Sequence, residues 1–87
     1  MKNVTYKADK LIRLEYEIED GVLRFIRITG DFFVHPEEKL HLIEKGLLGV
    51  MVDGIPAKFD SILGENDIEV IGFNGDDLKA AIMKDEL

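Results

Sequence analysis

From Leu11 to Glu19 polar and apolar positions alternate without a break. Ile12, Leu14, Tyr16 and Ile18 fall on one side; Arg13, Glu15, Glu17 and Glu19 fall on the other. A period of two puts successive side chains on opposite faces of an extended backbone, so this is a half-buried antiparallel strand with one solvated face. Asp20-Gly21 is a hairpin signal, and Val22 to Thr29 returns as a second strand. A two-residue loop would set Leu14 against Arg27 and Glu15 against Ile26, apolar opposite charged on both faces. Slipping the register by one residue turns every side chain over. The pattern therefore predicts a three-residue loop, Glu19-Asp20-Gly21, with Gly21 left-handed, pairing Ile12 with Ile28 and Leu14 with Ile26. That register sends Leu23 and Phe25 to the outer face beside Glu15 and Glu17. Two apolar side chains together on a charged face are candidates for an interface.

The segment Gly30-Asp31-Phe32-Phe33-Val34-His35-Pro36-Glu37-Glu38 turns the chain from strand to helix. Pro36 suits the first helical position, where its missing N–H has no partner to lose. Glu37 and Glu38 suit the first turn, where the helix dipole favours carboxylates. Phe32 and Phe33 are adjacent and point to opposite faces of an extended segment. One anchors the joint to the core; the other, with Gly30 and Asp31, is left for a partner. Asp31 also has a local role open to it, capping the turn before Pro36, and His35 is expected to cap the helix start. The helix runs to about Leu48 with Gly49 just past its end, and Leu40, Leu42, Ile43, Gly46 and Leu47 share an arc of about 160°. Gly46 inside it costs about 1 kcal/mol relative to alanine, which fits either a close approach by another element or fraying near the end.

Further on, Val50-Met51-Val52 is a short apolar run turned by Asp53-Gly54. Ile55, Phe59, Ile62 and Leu63 follow helical spacing from about Pro56, and Gly64 is the expected stop. Ile68 to Phe73 reads as extended. Asn74, with Asp77 three residues on, caps a last helix whose buried stripe is Leu78, Ala81 and Ile82; Lys84 to Leu87 is expected to fray. Val4-Thr5-Tyr6 reads as a short edge strand. The sum is one α+β domain over residues 1–87: a small antiparallel sheet of about three strands with helices packed on one face.

Composition narrows what such a domain does. Eighteen acidic against eleven basic residues give a net charge of −7, which argues against nucleic acid as the main partner. The absence of cysteine removes thiolate metal sites and thiol nucleophiles and fits a reducing cytosol, so a cytoplasmic location is expected. No apolar run approaches the roughly 20 residues of a membrane span, and the N-terminus does not read as a signal peptide. His35 and His41 lie on different sides of the predicted helix, and Asn74-Gly75-Asp76-Asp77 lacks the spacing of a calcium loop, so no metal site is expected. There is no phosphate-cradling glycine loop and no serine elbow, and Glu15, Glu17 and Glu19 line a solvated face with no apolar pocket to raise a pKa. No catalytic residue emerges. The residues alone describe an interaction module whose candidate partner-binding positions are Leu23, Phe25, Gly30, Asp31, Phe32 and Phe33.

Lys10 to Gly21, then Ile26-Arg27-Ile28-Thr29-Gly30-Asp31-Phe32-Phe33, resembles the C-terminal accessory domain of lipoate–protein ligase A. The His35-Pro36-Glu37-Glu38 segment fits as well, as do Ile68-Glu69-Val70-Ile71-Gly72-Phe73, Asp77-Leu78 and Ala81-Ile82. The resemblance implies a SufE/NifU-like α+β fold. It implies a small subunit that accompanies a separate large catalytic subunit and supports ATP-dependent formation of lipoyl-AMP. Lipoyl transfer to a lysine of an acceptor domain follows. Lipoate, ATP and magnesium would be held by the large subunit, and this chain would bind no cofactor itself. The SufE and NifU relatives work through cysteine, which this chain lacks, so sulfur transfer is not implied. The alternative is a non-catalytic scaffold domain of the same fold with another partner.

Overall fold

A computed structural model describes residues 1–87. Strands β1 (Lys2–Lys7), β2 (Leu11–Glu19) and β3 (Val22–Gly30) form an antiparallel sheet in the order β1-β2-β3. A second, two-stranded ribbon pairs β4 (Phe33–His35) with β5 (Glu69–Ile71). Helices α1 (Leu40–Gly46), α2 (Ile55–Asn66) and α3 (Gly75–Glu86) complete the α+β fold. The core forms where the inward faces meet: Ile12, Leu14 and Tyr16 from β2, Leu23, Ile26 and Ile28 from β3, and Ile43, Phe59, Leu78 and Ile82 from the helices.

The hairpin solves its parity problem differently from the sequence-based expectation. Its loop is two residues, with Glu19 paired to Val22 and both Asp20 (φ 54°) and Gly21 (φ 77°) left-handed, as a type I′ turn requires. A β-bulge then restores the apolar matching. Glu17 pairs with Phe25 but Ile18 pairs with Leu23, leaving Arg24 as the extra residue. Beyond the bulge Leu14 faces Ile28 and Tyr16 faces Ile26, two residues from the expected partners and on the expected face. The bulge also corrects the reading of Leu23. Its shift of parity turns Leu23, rather than Arg24, into the core beside Ile18, and Leu23 is fully buried. Phe25 stays on the outer face opposite Glu17, half-buried, with the Arg27 guanidinium 5.8 Å from its ring centroid.

Other expectations are redrawn by tertiary contacts. Phe33–His35 pairs with β5 before the expected helix begins, and Pro36 is extended (ψ 142°) at its N-cap. The first turn, Glu37–Lys39, is 3₁₀ and runs directly into α1, which ends at Gly46. His35 is exposed on β4 and gives no cap. His41 Nδ1 lies 2.6 Å from the Glu38 carbonyl instead. Gly64 does not stop α2; Asp67 does, adopting the left-handed conformation (φ 53°) as Ile68 N–H donates to the Leu63 carbonyl. Gly46 serves close approach, since a Cβ there would lie 2.7 Å from Ile62 Cδ1. Asn74 and Asp77 form the expected reciprocal capping box.

The C-terminal tail does not fray. The buried Tyr16 hydroxyl donates to Asp85 (2.6 Å) and Glu86 (2.8 Å), and Lys2 pairs with Glu86. Burial first, then these carboxylates, hold the Tyr16 pKa above its ordinary value of 10; Lys2 and then Tyr16 hold Glu86 below its ordinary 4.5. A raised tyrosine pKa stabilises the fold below pH 10 and ceases to as the unfolded chain ionises above it. A lowered carboxylate pKa stabilises above pH 4.5 and is lost as the pH falls through the folded value. Tyr16→Phe is therefore expected to cost about 0.5–1.5 kcal/mol at neutral pH. Denaturant titrations should show the gap from the unsubstituted chain narrowing above pH 10 and below pH 4.5.

Candidate partner-binding site

The two phenylalanines of the joint part as their adjacency requires. Phe32 turns inward and packs edge-on against Phe73, with ring centroids 4.9 Å apart; Phe73 in turn meets Phe59 at 5.6 Å. Phe33 turns outward and is 68% exposed. Its ladder partner Ile71 is 51% exposed, so two large apolar side chains stand directly opposite each other on one face of the ribbon. Cross-strand neighbours of this kind have Cβ atoms about 5 Å apart and act as one patch. His35 and Glu69 extend that face.

Behind the ribbon lies a cleft of about 560 Å³, lined by Ile28, Thr29 and Gly30 of β3, the Phe32–His35 segment, Glu37 and Leu40. Gly30 makes the joint possible. Its φ is 145°, and a Cβ there would sit 2.2 Å from the Leu11 carbonyl oxygen. That close approach lets Asp31 N–H donate to the same carbonyl (3.0 Å) and carries the chain off the sheet. Asp31 is exposed beside the cleft, and its side chain makes no capping bond ahead of Pro36. Gly72 secures the joint from the other side. Its carbonyl accepts from Lys10 N–H (2.9 Å), and its α-carbon packs between Lys10 and Phe32.

Of the positions selected from sequence, the structure gathers Gly30, Phe32 and Phe33 at the cleft with Asp31 alongside. Phe25 sits apart on the outer sheet face, and Leu23 is inside. Sequence reasoning missed Ile71. The run Ile68 to Phe73 reads as extended and mostly buried, and only its pairing with Phe33 shows that Ile71 faces out. No group of three or more His, Cys, Asp and Glu side chains is positioned to hold a metal ion, and no helix is long and apolar enough to cross a membrane.

No family model matches the chain. A curated protein of Thermoplasma acidophilum described as lipoate-protein ligase A subunit 2 is 34% identical over 56 residues, 63% of this chain and 60% of that relative's length. Among solved structures, the chain superimposes with a TM-score of 0.77 and 25% identity on a chain from a structural study of an archaeal lipoylation system. The superposition covers 94% of this chain and 93% of that one. The study describes a bi-partite lipoate protein ligase and its E2 lipoyl domain from the same organism. The structural likeness extends over almost the whole fold.

Proposed function

Because the chain is similar almost end to end to a chain of a bipartite lipoylation system and shares sequence with a ligase second subunit, we propose that it is the small accessory subunit of a two-chain lipoate–protein ligase. Its work is to associate with the large catalytic subunit and support ATP-dependent formation of lipoyl-AMP, before the lipoyl group passes to an acceptor lysine. The observation that carries this reading is the near-complete structural overlap.

The chain's own surface is consistent with a supporting role. It offers an exposed apolar pair and an open cleft, features suited to a protein partner. Nothing in it resembles a phosphate cradle, and the cleft carries only Glu37 and His35 as ionisable lining. Lipoate, ATP and magnesium are accordingly assigned to the catalytic subunit. The association surface is assigned to Phe33, Ile71 and the cleft behind them, with Phe32 and Gly30 shaping it from within and Asp31 at its rim.

The test begins with the isolated chain. Calorimetry is expected to detect no ATP binding by it, whereas the catalytic subunit mixed with it forms lipoyl-AMP. Micromolar ATP affinity for the chain alone would overturn the assignment of nucleotide to the partner.

A further inference from the structure

The outer edge of β3 is covered at the hairpin end and at Ile28 N–H. At the hairpin end, Leu23 N–H donates to the Val50 carbonyl (2.9 Å), Gly49 N–H donates to the Leu23 carbonyl (2.8 Å), and Met51 forms a bridge with Val22. Further along, Ile28 N–H donates to the Glu44 carboxylate (2.8 Å). In an antiparallel ladder, backbone groups alternate between facing the partner strand and facing away. Ile28 faces away, so Gly30, two residues on, faces away too. Asp31, which bonds to Leu11 on β2, keeps the alternation. The Gly30 N–H and C=O therefore open into the cleft, without a partner in the chain.

The opposite wall of the cleft is also a strand edge. It contains Phe33, Val34 and His35 but no residue of β5, so it is the side of β4 that the ribbon leaves unpaired. The Gly72 carbonyl accepts from Lys10, and Ile68 N–H donates to Leu63, which places the ribbon's bonds at Phe33–Ile71 and His35–Glu69. Val34 N–H and C=O then point away from β5 into the same cleft. Two free backbone edges thus flank one apolar trough of Ile28, Val34 and Leu40. An unpaired edge of this kind is the template for strand addition.

We propose that the cleft receives an extended segment of the catalytic subunit, which adds as a strand against the free edges at Gly30 and Val34. The reading rests on the accessory-subunit assignment above. Charge selects the segment's chemistry: Glu37 lines the cleft, Asp31 is exposed beside it, and no lysine or arginine lines it, in a chain of net charge −7. The occupant is apolar and carries at least one lysine or arginine.

Amide hydrogen exchange, measured on the chain alone and with the catalytic subunit from the same organism, tests this. In the complex the Gly30 and Val34 amides are expected to slow at least tenfold, while Glu37→Lys weakens binding at least fivefold and flattens its dependence on salt. A complex that forms with both amides exchanging at their free rates overturns strand addition and leaves the accessory role standing. Failure of the two proteins to associate at all overturns the accessory role, and this assignment with it.

Discussion

Phe33→Ser is expected to weaken association with the catalytic subunit roughly ten- to hundredfold while leaving the isolated chain folded. The side chain is 68% exposed and stands opposite Ile71, so the domain loses little when it is removed. Burying such a side chain at an interface is worth about 1.5–3 kcal/mol, and each 1.4 kcal/mol is about a factor of ten in affinity. A surface change within about 0.5 kcal/mol moves the melting midpoint of a domain this size by no more than about 4 °C. Phe25→Ser is the contrast. Phe25 lies five residues before Gly30 on β3, about 17 Å along an extended strand, and on the face away from the helices. Its loss is expected to leave binding within about twofold. If Phe25→Ser weakens binding and Phe33→Ser does not, the interface lies on the outer sheet face and the joint is only structural.

Gly30→Ala is expected to act on the fold itself. The added Cβ would meet the Leu11 carbonyl at 2.2 Å and Ile12 Cα at 2.9 Å, both backbone atoms with no freedom to swing aside. The φ of 145° adds strain of about 1–3 kcal/mol for an L side chain, and forced repacking costs a similar amount. Against a total stability of roughly 5–15 kcal/mol, this is a large fraction. Denaturant unfolding should show a markedly lower midpoint, and the loss of binding should follow the loss of folded chain. A Gly30→Ala variant of unchanged stability would contradict the close approach that carries the chain off the sheet.

The parts of the fold legible in sequence were those set by local pattern. The alternation from Ile12 to Ile18 fixes which face of β2 is buried, and Asn74 with Asp77 announces the start of α3. What remained hidden depends on partners distant in the chain. The Arg24 bulge exists because a two-residue turn and a matched apolar face demand opposite parity, and a sequence offers both a bulge and a longer loop as solutions. Phe33–His35 becomes a strand only because Glu69–Ile71 is there to pair with it. The tail is held because Tyr16 carries its hydroxyl to Asp85 and Glu86 and because Lys2, from the far end of the chain, pairs with Glu86. At the candidate site, the opposed facing of Phe32 and Phe33 was readable from their adjacency. Ile71 and the free edges at Gly30 and Val34 required the ribbon and the sheet to be assembled.

The most direct measurement is formation of lipoyl-AMP from lipoate and ATP by the catalytic subunit as this chain is titrated in. Either protein alone is expected to form negligible adenylate, and the rate to rise with added chain to a plateau at one chain per catalytic subunit. Phe33→Ser is expected to shift the titration to higher concentration without changing the plateau. Adenylate formed at the full rate by the catalytic subunit alone, unaffected by this chain, would contradict the accessory role and leave a scaffold domain of the same fold that serves another partner.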